Sequence, residues 1–93
     1  MPRFKVAHMR HKTDDLIVVQ MEKGFGLKTS VEMGQTIAEL ETRAKAAGLA
    51  GEVIPVWVGG GRLNFTAHQR WHQFFSGMSW DQVTNNVNRD LHW

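Results

Sequence analysis

The sequence contains no cysteine and no tyrosine, has only two prolines, and includes no long apolar run. Without cysteine the chain cannot form disulfides, thiolate zinc sites or a cysteine nucleophile. The longest unbroken aliphatic run, Leu16 to Val19, is far shorter than the roughly 20 apolar residues of a membrane-spanning helix. The first residues also lack the apolar segment of a secretory signal. We therefore expect a cytoplasmic protein that does not associate with membranes.

The lack of tyrosine and cysteine also explains a high isoelectric point. The pI is near 9.4 although the formal net charge is only +2, because few groups have a pKa between that of histidine and that of lysine. The pI by itself is therefore poor evidence for nucleic-acid binding. A hydrophobic share of 42% with 22% charged residues is typical of a folded chain rather than a disordered one. We predict a single domain over residues 1–93.

Apolar periodicity predicts four strands. Residues 4–9 alternate and residues 16–21 are apolar on both faces, so these two segments form an N-terminal hairpin joined by a polar connector over 10–15. Residues 53–58 and 62–66 form the other two, joined by Gly59–Gly61 in a tight turn that favours residues with positive φ. Pro55 cannot donate to a strand ladder, which predicts an edge position or a bulge.

Capping boxes predict the starts of three helices, at Thr29–Glu32, Thr66–Gln69 and Ser79–Gln82. For the first helix, Thr36 with Glu39 offers a later start because of Gly34, and both starts stay open. Gly48 predicts the end of the first helix. The last helix continues towards the C-terminus along an apolar side formed by Trp80, Val83, Val87 and Leu91. The resulting order, ββαββαα, predicts an α+β fold with a four-stranded, mainly antiparallel sheet packed against helices.

Basic residues are concentrated in the first twelve positions. They are Arg3, Lys5, Arg10 and Lys12. This cluster fits a solvated hairpin whose cations protect an edge strand. It also fits an electrostatic footprint for nucleic acid. Both interpretations stay open at this point.

His68 and His72 are the candidate metal ligands, because two histidines four residues apart lie on one face of a helix. No glutamate follows His68, as a zinc-protease helix would require. Half-buried, hydrogen-bonded histidines fit the same spacing. The hydroxyl residues include no Gly-x-Ser-x-Gly nucleophile elbow. We therefore predict no metal, no cofactor and no catalytic residue, while acid–base pairs that form only in space leave enzyme activity open.

The C-terminal third combines aromatic and amide side chains, with Trp71, Trp80 and Trp93 close to three asparagines. Asparagine is a weak helix former, so a helix that carries several uses some of the amides for hydrogen bonds. The first functional hypothesis is a non-catalytic module that binds a protein partner or associates with itself. Its predicted surface consists of Arg62, Gln82, Asn85, Asn86, Arg89 and Trp93.

The second hypothesis is a nucleic-acid-binding protein. It uses the basic N-terminal cluster together with Gln82, Asn85 and Arg89 of the last helix, whose side chains suit base edges. Binding of this kind weakens steeply as the salt concentration rises.

Several short segments also carry a resemblance to a known group. They are Phe4–His8, Val56–Trp57, Gly59–Arg62, Trp71–His72 with Phe74–Phe75, Asn86–Arg89 and Leu91–Trp93. The chain resembles small uncharacterised proteins carried by integrative conjugative elements and genomic islands of proteobacteria. The resemblance covers most of the chain. It implies a bacterial, cytoplasmic accessory protein and supplies no catalytic residue.

Overall fold

The computed structural model describes residues 3–11 and 14–92, and its centre is a five-stranded mixed sheet between two helical layers. The strands are β1 (Arg3–His11), β2 (Asp14–Gln20), β3 (Glu52–Gly59), β4 (Arg62–Phe65) and β5 (Arg89–His92). The helices are α1 (Ser30–Ala46), α2 (His72–Ser76) and α3 (Trp80–Asn85), with 3-10 turns over Lys23–Leu27 and Gln69–Trp71.

The strands are arranged in the order β4-β3-β2-β1-β5. β1 pairs antiparallel with both β2 and β5, and β3 pairs antiparallel with β4. β2 and β3 are parallel, which requires a crossover between them, and α1 supplies it. The predicted α+β class is confirmed. The predicted sheet is correct only in part, since it has a fifth strand and one parallel pair.

The limits of α1 follow the predicted capping signals. The N–H of Glu32 donates to Thr29 Oγ1 at 3.2 Å, and the N–H of Thr29 donates to Glu32 Oε1 at 3.1 Å. Gly48 has a φ of +82° and ends the helix. The N–H of Leu49 then donates to Ala44 O at 2.9 Å, and Leu49 folds back onto the last turn.

The glycine turn between β3 and β4 also has the predicted geometry, because Gly60 and Gly61 have φ values of +62° and +74°. Pro55 lies in an interior strand, contrary to the predicted edge or bulge. Its carbonyl accepts from Thr66 N–H at 3.2 Å, so it faces the chain just past Phe65, where β4 has ended. The missing N–H of proline faces the same side and interrupts no ladder bond between β3 and β4.

Each face of the sheet has its own hydrophobic core. The α1 face is formed by Val6, Ile17, Val19, Met21, Phe25, Leu40, Ala44, Leu49, Val53 and Leu91. The α2/α3 face is formed by Ala7, Leu16, Val18, Ile54, Val56, Trp71, Phe75 and Val83. Of the helices within the described ranges, even the 17-residue α1 lacks the length and apolar character of a membrane span.

The predicted last helix is wrong beyond Asn85, where α3 ends. Residues 89–92 form β5 instead, and Leu91 faces Phe4 across the ladder with β1. The unpaired N–H and C=O groups along the edge of β1 need hydrogen-bond partners. A four-residue segment supplies them as a strand but not as one more helical turn. Leu91 is still buried, but against α1 rather than on a face of the last helix.

Candidate functional site

Arg62 and Arg89 lie at opposite edges of the sheet. Arg62 opens β4 and Arg89 opens β5, with β3, β2 and β1 between them. The glycine turn and the C-terminal segment therefore do not come together on one surface. Trp93, which completed the predicted surface, lies outside the described residues.

Two of the predicted binding amides are used within α3 itself. The N–H of Ser79 donates to Gln82 Oε1 at 2.8 Å, which completes the third capping box. Asn86 Nδ2 donates to Gln82 O at 2.7 Å and closes the C-terminal turn. Asn85 is exposed and its side chain makes no hydrogen bond within the described chain. Within the described chain, Asn85 thus has its whole amide open to a ligand, whereas Gln82 and Asn86 each have one amide atom engaged.

A fourth amide, Asn88, connects the segment after α3 to β1. Its Oδ1 accepts from the N–H of His8 at 2.9 Å, and its Nδ2 donates to His8 O at 3.2 Å. Its own N–H donates to Val6 O at 3.0 Å, although Arg89 is the register partner of Val6. Two consecutive residues thus oppose one, as in a β-bulge. The sequence indicated that some amides would bond, but not that this one would start a strand.

Around this bulge the chain forms a surface that we call the β5 surface, defined by Arg3, Lys5, Arg89, Asp90 and His92. A groove of about 690 Å³ borders it and is lined by Lys5, Thr84, Val87, Asn88, Arg89 and Asp90. Gln20 Nε2 donates to Thr84 Oγ1 at 2.9 Å, which attaches the end of α3 to β2 and shapes the groove.

The β5 surface carries an excess of positive charge. Arg3 Nη2 lies 3.5 Å from Asp90 Oδ2, and Lys5 faces Asp90 across the β1–β5 ladder. Neither Lys5 nor Arg89 forms an ion pair within the described residues. Arg3 and Lys5 therefore share one carboxylate on their face of the sheet, and Arg89 adds a third cation at the same strand edge; Lys5 and Arg89 are available to a ligand.

The predicted basic N-terminal cluster is divided between the two faces of the sheet. Alternation along β1 places Arg3 and Lys5 on the α2/α3 face, with Ala7. Arg10 lies on the α1 face, where its Nε is 3.6 Å from Asp15 Oδ1. Lys12 lies outside the described residues. The structure thus keeps Arg3 and Lys5 on one face of the sheet and Arg10 on the other. Arg89 is the register partner of Val6, so alternation places it on the α1 face at the β5 edge, although it borders the same groove as Lys5.

His68 and His72 make local hydrogen bonds. His68 Nδ1 accepts from the N–H of Arg70 at 3.2 Å and caps the 3-10 turn, so the predicted start at Thr66–Gln69 is wrong. His72 Nε2 lies 3.2 Å from Ala67 O. Within the described ranges, no three histidine, cysteine, aspartate or glutamate side chains are grouped to hold a metal ion.

The β5 surface therefore joins Arg89, which both functional hypotheses use, with Lys5, which belongs to the second. Its groups are two available cations, a carboxylate, an imidazole and the backbone of an edge strand. Groups of this kind recognise a partner through charge and main-chain hydrogen bonds. In comparisons with known proteins, no family model matches the chain, and no curated protein or solved structure matches it.

Proposed function

We propose that this chain is a non-catalytic module that binds a protein partner or a second copy of itself through the β5 surface. The observation that supports the proposal is the open outer edge of β5, which no other strand of the described chain covers. The unpaired N–H and C=O groups of an edge strand are a template for another strand. The chain would then act as an accessory binding protein, as its resemblance to proteins of mobile elements implies.

The β5 edge is held in place before any partner arrives. Asn88 ties its first residues to His8, and Gln20 ties the end of α3 beside it to β2. Leu91 anchors the strand in the α1 core. Binding to a preorganised edge costs less ordering entropy than binding to a loose segment.

The opposite edge, β4, is less suited to charged recognition. Asn64 Nδ2 donates to Gly59 O and to Arg62 O, at 3.1 and 3.2 Å, so its amide closes the hairpin. Leu63 and Phe65 pack against the α2/α3 core. Arg62 is the one cation of this strand, whereas Lys5 and Arg89 both border the groove beside β5.

Two matched variants test the proposal, because Arg62 and Arg89 are both exposed arginines that open an edge strand. We expect Arg89→Glu to abolish capture of a partner by the tagged protein, or its self-association in sedimentation velocity. Arg62→Glu should leave both unchanged, and circular dichroism should show both variants folded. Equal behaviour of the two folded variants would remove β5 from the proposal.

A nucleic-acid-binding function is the second candidate, and one observation favours it. Arg3 and Lys5 lie on β1, and Arg89 lies on the adjacent β5 and borders the same groove as Lys5, whereas Asp90 is the one acidic residue of β5. Contacts from three cations to phosphates would give a slope of log K against log salt of about −2 to −3. Mobility shifts of DNA and RNA at low salt should then disappear in the double variant Lys5→Glu with Arg89→Glu. Binding that this variant retains would exclude the β5 surface as the site.

A further inference from the structure

We infer that the occupant of the β5 edge is a second copy of this chain, joined β5 to β5 about a two-fold axis. The inference rests on the proposed use of the β5 surface and names its partner. The two five-stranded sheets would then continue as one sheet of ten strands, which removes an open edge from each copy.

Alternation along β5 restricts how two copies can pair. Leu91 points into the α1 core, so Asp90 and His92 point to the other face of the sheet. In an antiparallel pair, residues directly opposite each other point to the same face of the sheet. In a two-fold interface, if residue i of one copy faces residue j of the second, then residue j of the first copy faces residue i of the second. Two registers centred on β5 meet these conditions. One places Leu91 opposite its own copy, and the other places Asp90 opposite its own copy.

Charge complementarity selects the first register. With Leu91 at the axis, Asp90 faces His92 of the second copy, and the pair occurs twice by symmetry. An imidazole N–H donates to a carboxylate, which is a favourable cross-strand pair. The second register sets two Asp90 carboxylates directly opposite each other, where like charges repel. The short sequence of β5 thus specifies its own antiparallel partner.

The α1 face leaves room for the second copy. A groove of about 240 Å³ lies between α1 and β5 and is lined by Arg43, Ala46, Ala47, Asp90, Leu91 and His92. Ala46 and Ala47 are exposed, and their small side chains allow a second helix to come near. The paired segment has only four residues, so the interface buries less surface than stable complexes do, which bury about 1,200–2,000 Å². We therefore expect a weak dimer that depends on protein concentration.

Sedimentation equilibrium of the full chain from about 5 to 500 μM tests for this dimer, since a weak complex responds to mass action. His92→Asp places a carboxylate opposite Asp90 of the second copy. The dimer dissociation constant should then rise at least about tenfold, which corresponds to 1.4 kcal/mol. The exchange Asp90→His with His92→Asp should restore it. This double variant keeps a carboxylate within reach of Arg3, whose register partner is His92, so each copy still folds.

The absence of cysteine allows a direct test of register. In the proposed dimer, an oxidised mixture of Asp90→Cys and His92→Cys chains forms a mixed disulfide, because these positions face each other. Asp90→Cys alone should not cross-link, since two residues along the strand separate it from its own copy. Cross-linking of Asp90→Cys with itself would overturn the register.

A chain that stays monomeric over the whole concentration range would overturn the second-copy inference. So would failure of the charge exchange to restore a dimer that His92→Asp has weakened. Neither result contradicts the proposed function, because that function is tested by a separate experiment. There, capture of a different protein is lost in Arg89→Glu and kept in Arg62→Glu. Loss of the dimer in both arginine variants, with no protein captured, would count against the proposed function instead.

Discussion

Replacement of Asn88 by alanine should destabilise the fold by breaking the attachment of β5 to β1. Asn88 makes two side-chain hydrogen bonds to the backbone of His8, 80 residues away in sequence. One intramolecular hydrogen bond contributes about 0.5–1.5 kcal/mol net. Asn88 is exposed, so water replaces part of what is lost. The expected loss is therefore in the lower part of the two-bond range, about 1–2 kcal/mol.

The loss is measurable by urea or thermal unfolding followed through tryptophan fluorescence. For a domain of this size, 1 kcal/mol lowers Tm by about 4–8 °C, so Asn88→Ala should lower Tm by roughly 5–15 °C. Amide hydrogen exchange supplies a local measurement. The N–H of His8 donates to Asn88 Oδ1, and its exchange should accelerate in the variant more than that of Ile17 in the sheet interior.

Asn85→Ala is the matched control, because Asn85 is an exposed asparagine near Asn88 whose side chain makes no hydrogen bond in the described chain. Alanine is the better helix former, so this change should not lower the Tm. Asn88→Asp keeps the acceptor for His8 N–H but places a carboxylate oxygen beside His8 O, and it should be no more stable than Asn88→Ala. Wild-type stability and His8 exchange in Asn88→Ala would refute the reasoning.

Two further predictions concern the 3-10 turn and the first helix. In Gly26→Ala the new Cβ would lie 2.5 Å from Trp57 Nε1, so we expect the free energy of unfolding in urea to fall by about 1–3 kcal/mol. Gly24→Ala is the control, because open space surrounds that position and its free energy of unfolding should fall less. Equal losses in the two variants would contradict the clash. Hydrogen bonds from Thr29 hold the pKa of Glu32 below its usual 4.5, so its stabilising effect is present above pH 4.5 and is lost as pH falls through the lowered pKa. Glu32→Gln should therefore flatten the dependence of the urea midpoint on pH between about 3 and 5, and an unchanged slope would contradict this linkage.

Local signals in the sequence predicted the elements that depend on neighbouring residues. The capping box of Thr29 and Glu32 and the stop at Gly48 set the limits of α1, since each acts within one helical turn. The turn at Gly60 and Gly61 follows from the φ values that a two-residue hairpin demands. Such signals need no tertiary context.

The same reasoning failed where a distant partner decided the outcome. Val87 and Leu91 are four residues apart and fit a helix, but Leu91 pairs with Phe4 at the other end of the chain. A stretch of four residues has too short a pattern to distinguish the two structures. Pro55 is tolerated inside the sheet because β4 ends before it, which its own sequence neighbourhood does not show.

The sequence by itself determined the absence of cysteine chemistry, the α+β class and the end of the first helix at Gly48, because composition and local hydrogen bonds are readable residue by residue. The structure chose the earlier of two possible starts for that helix, at Thr29. Only the tertiary structure decided which charged residues meet. Pairing of β1 with β5 sets Lys5 opposite Asp90 and brings Arg89 to the same groove. Arg62 lies at the other edge of the sheet. The physical reason is that strand order depends on contacts between residues up to 89 positions apart, such as Arg3 and His92, which no local pattern specifies.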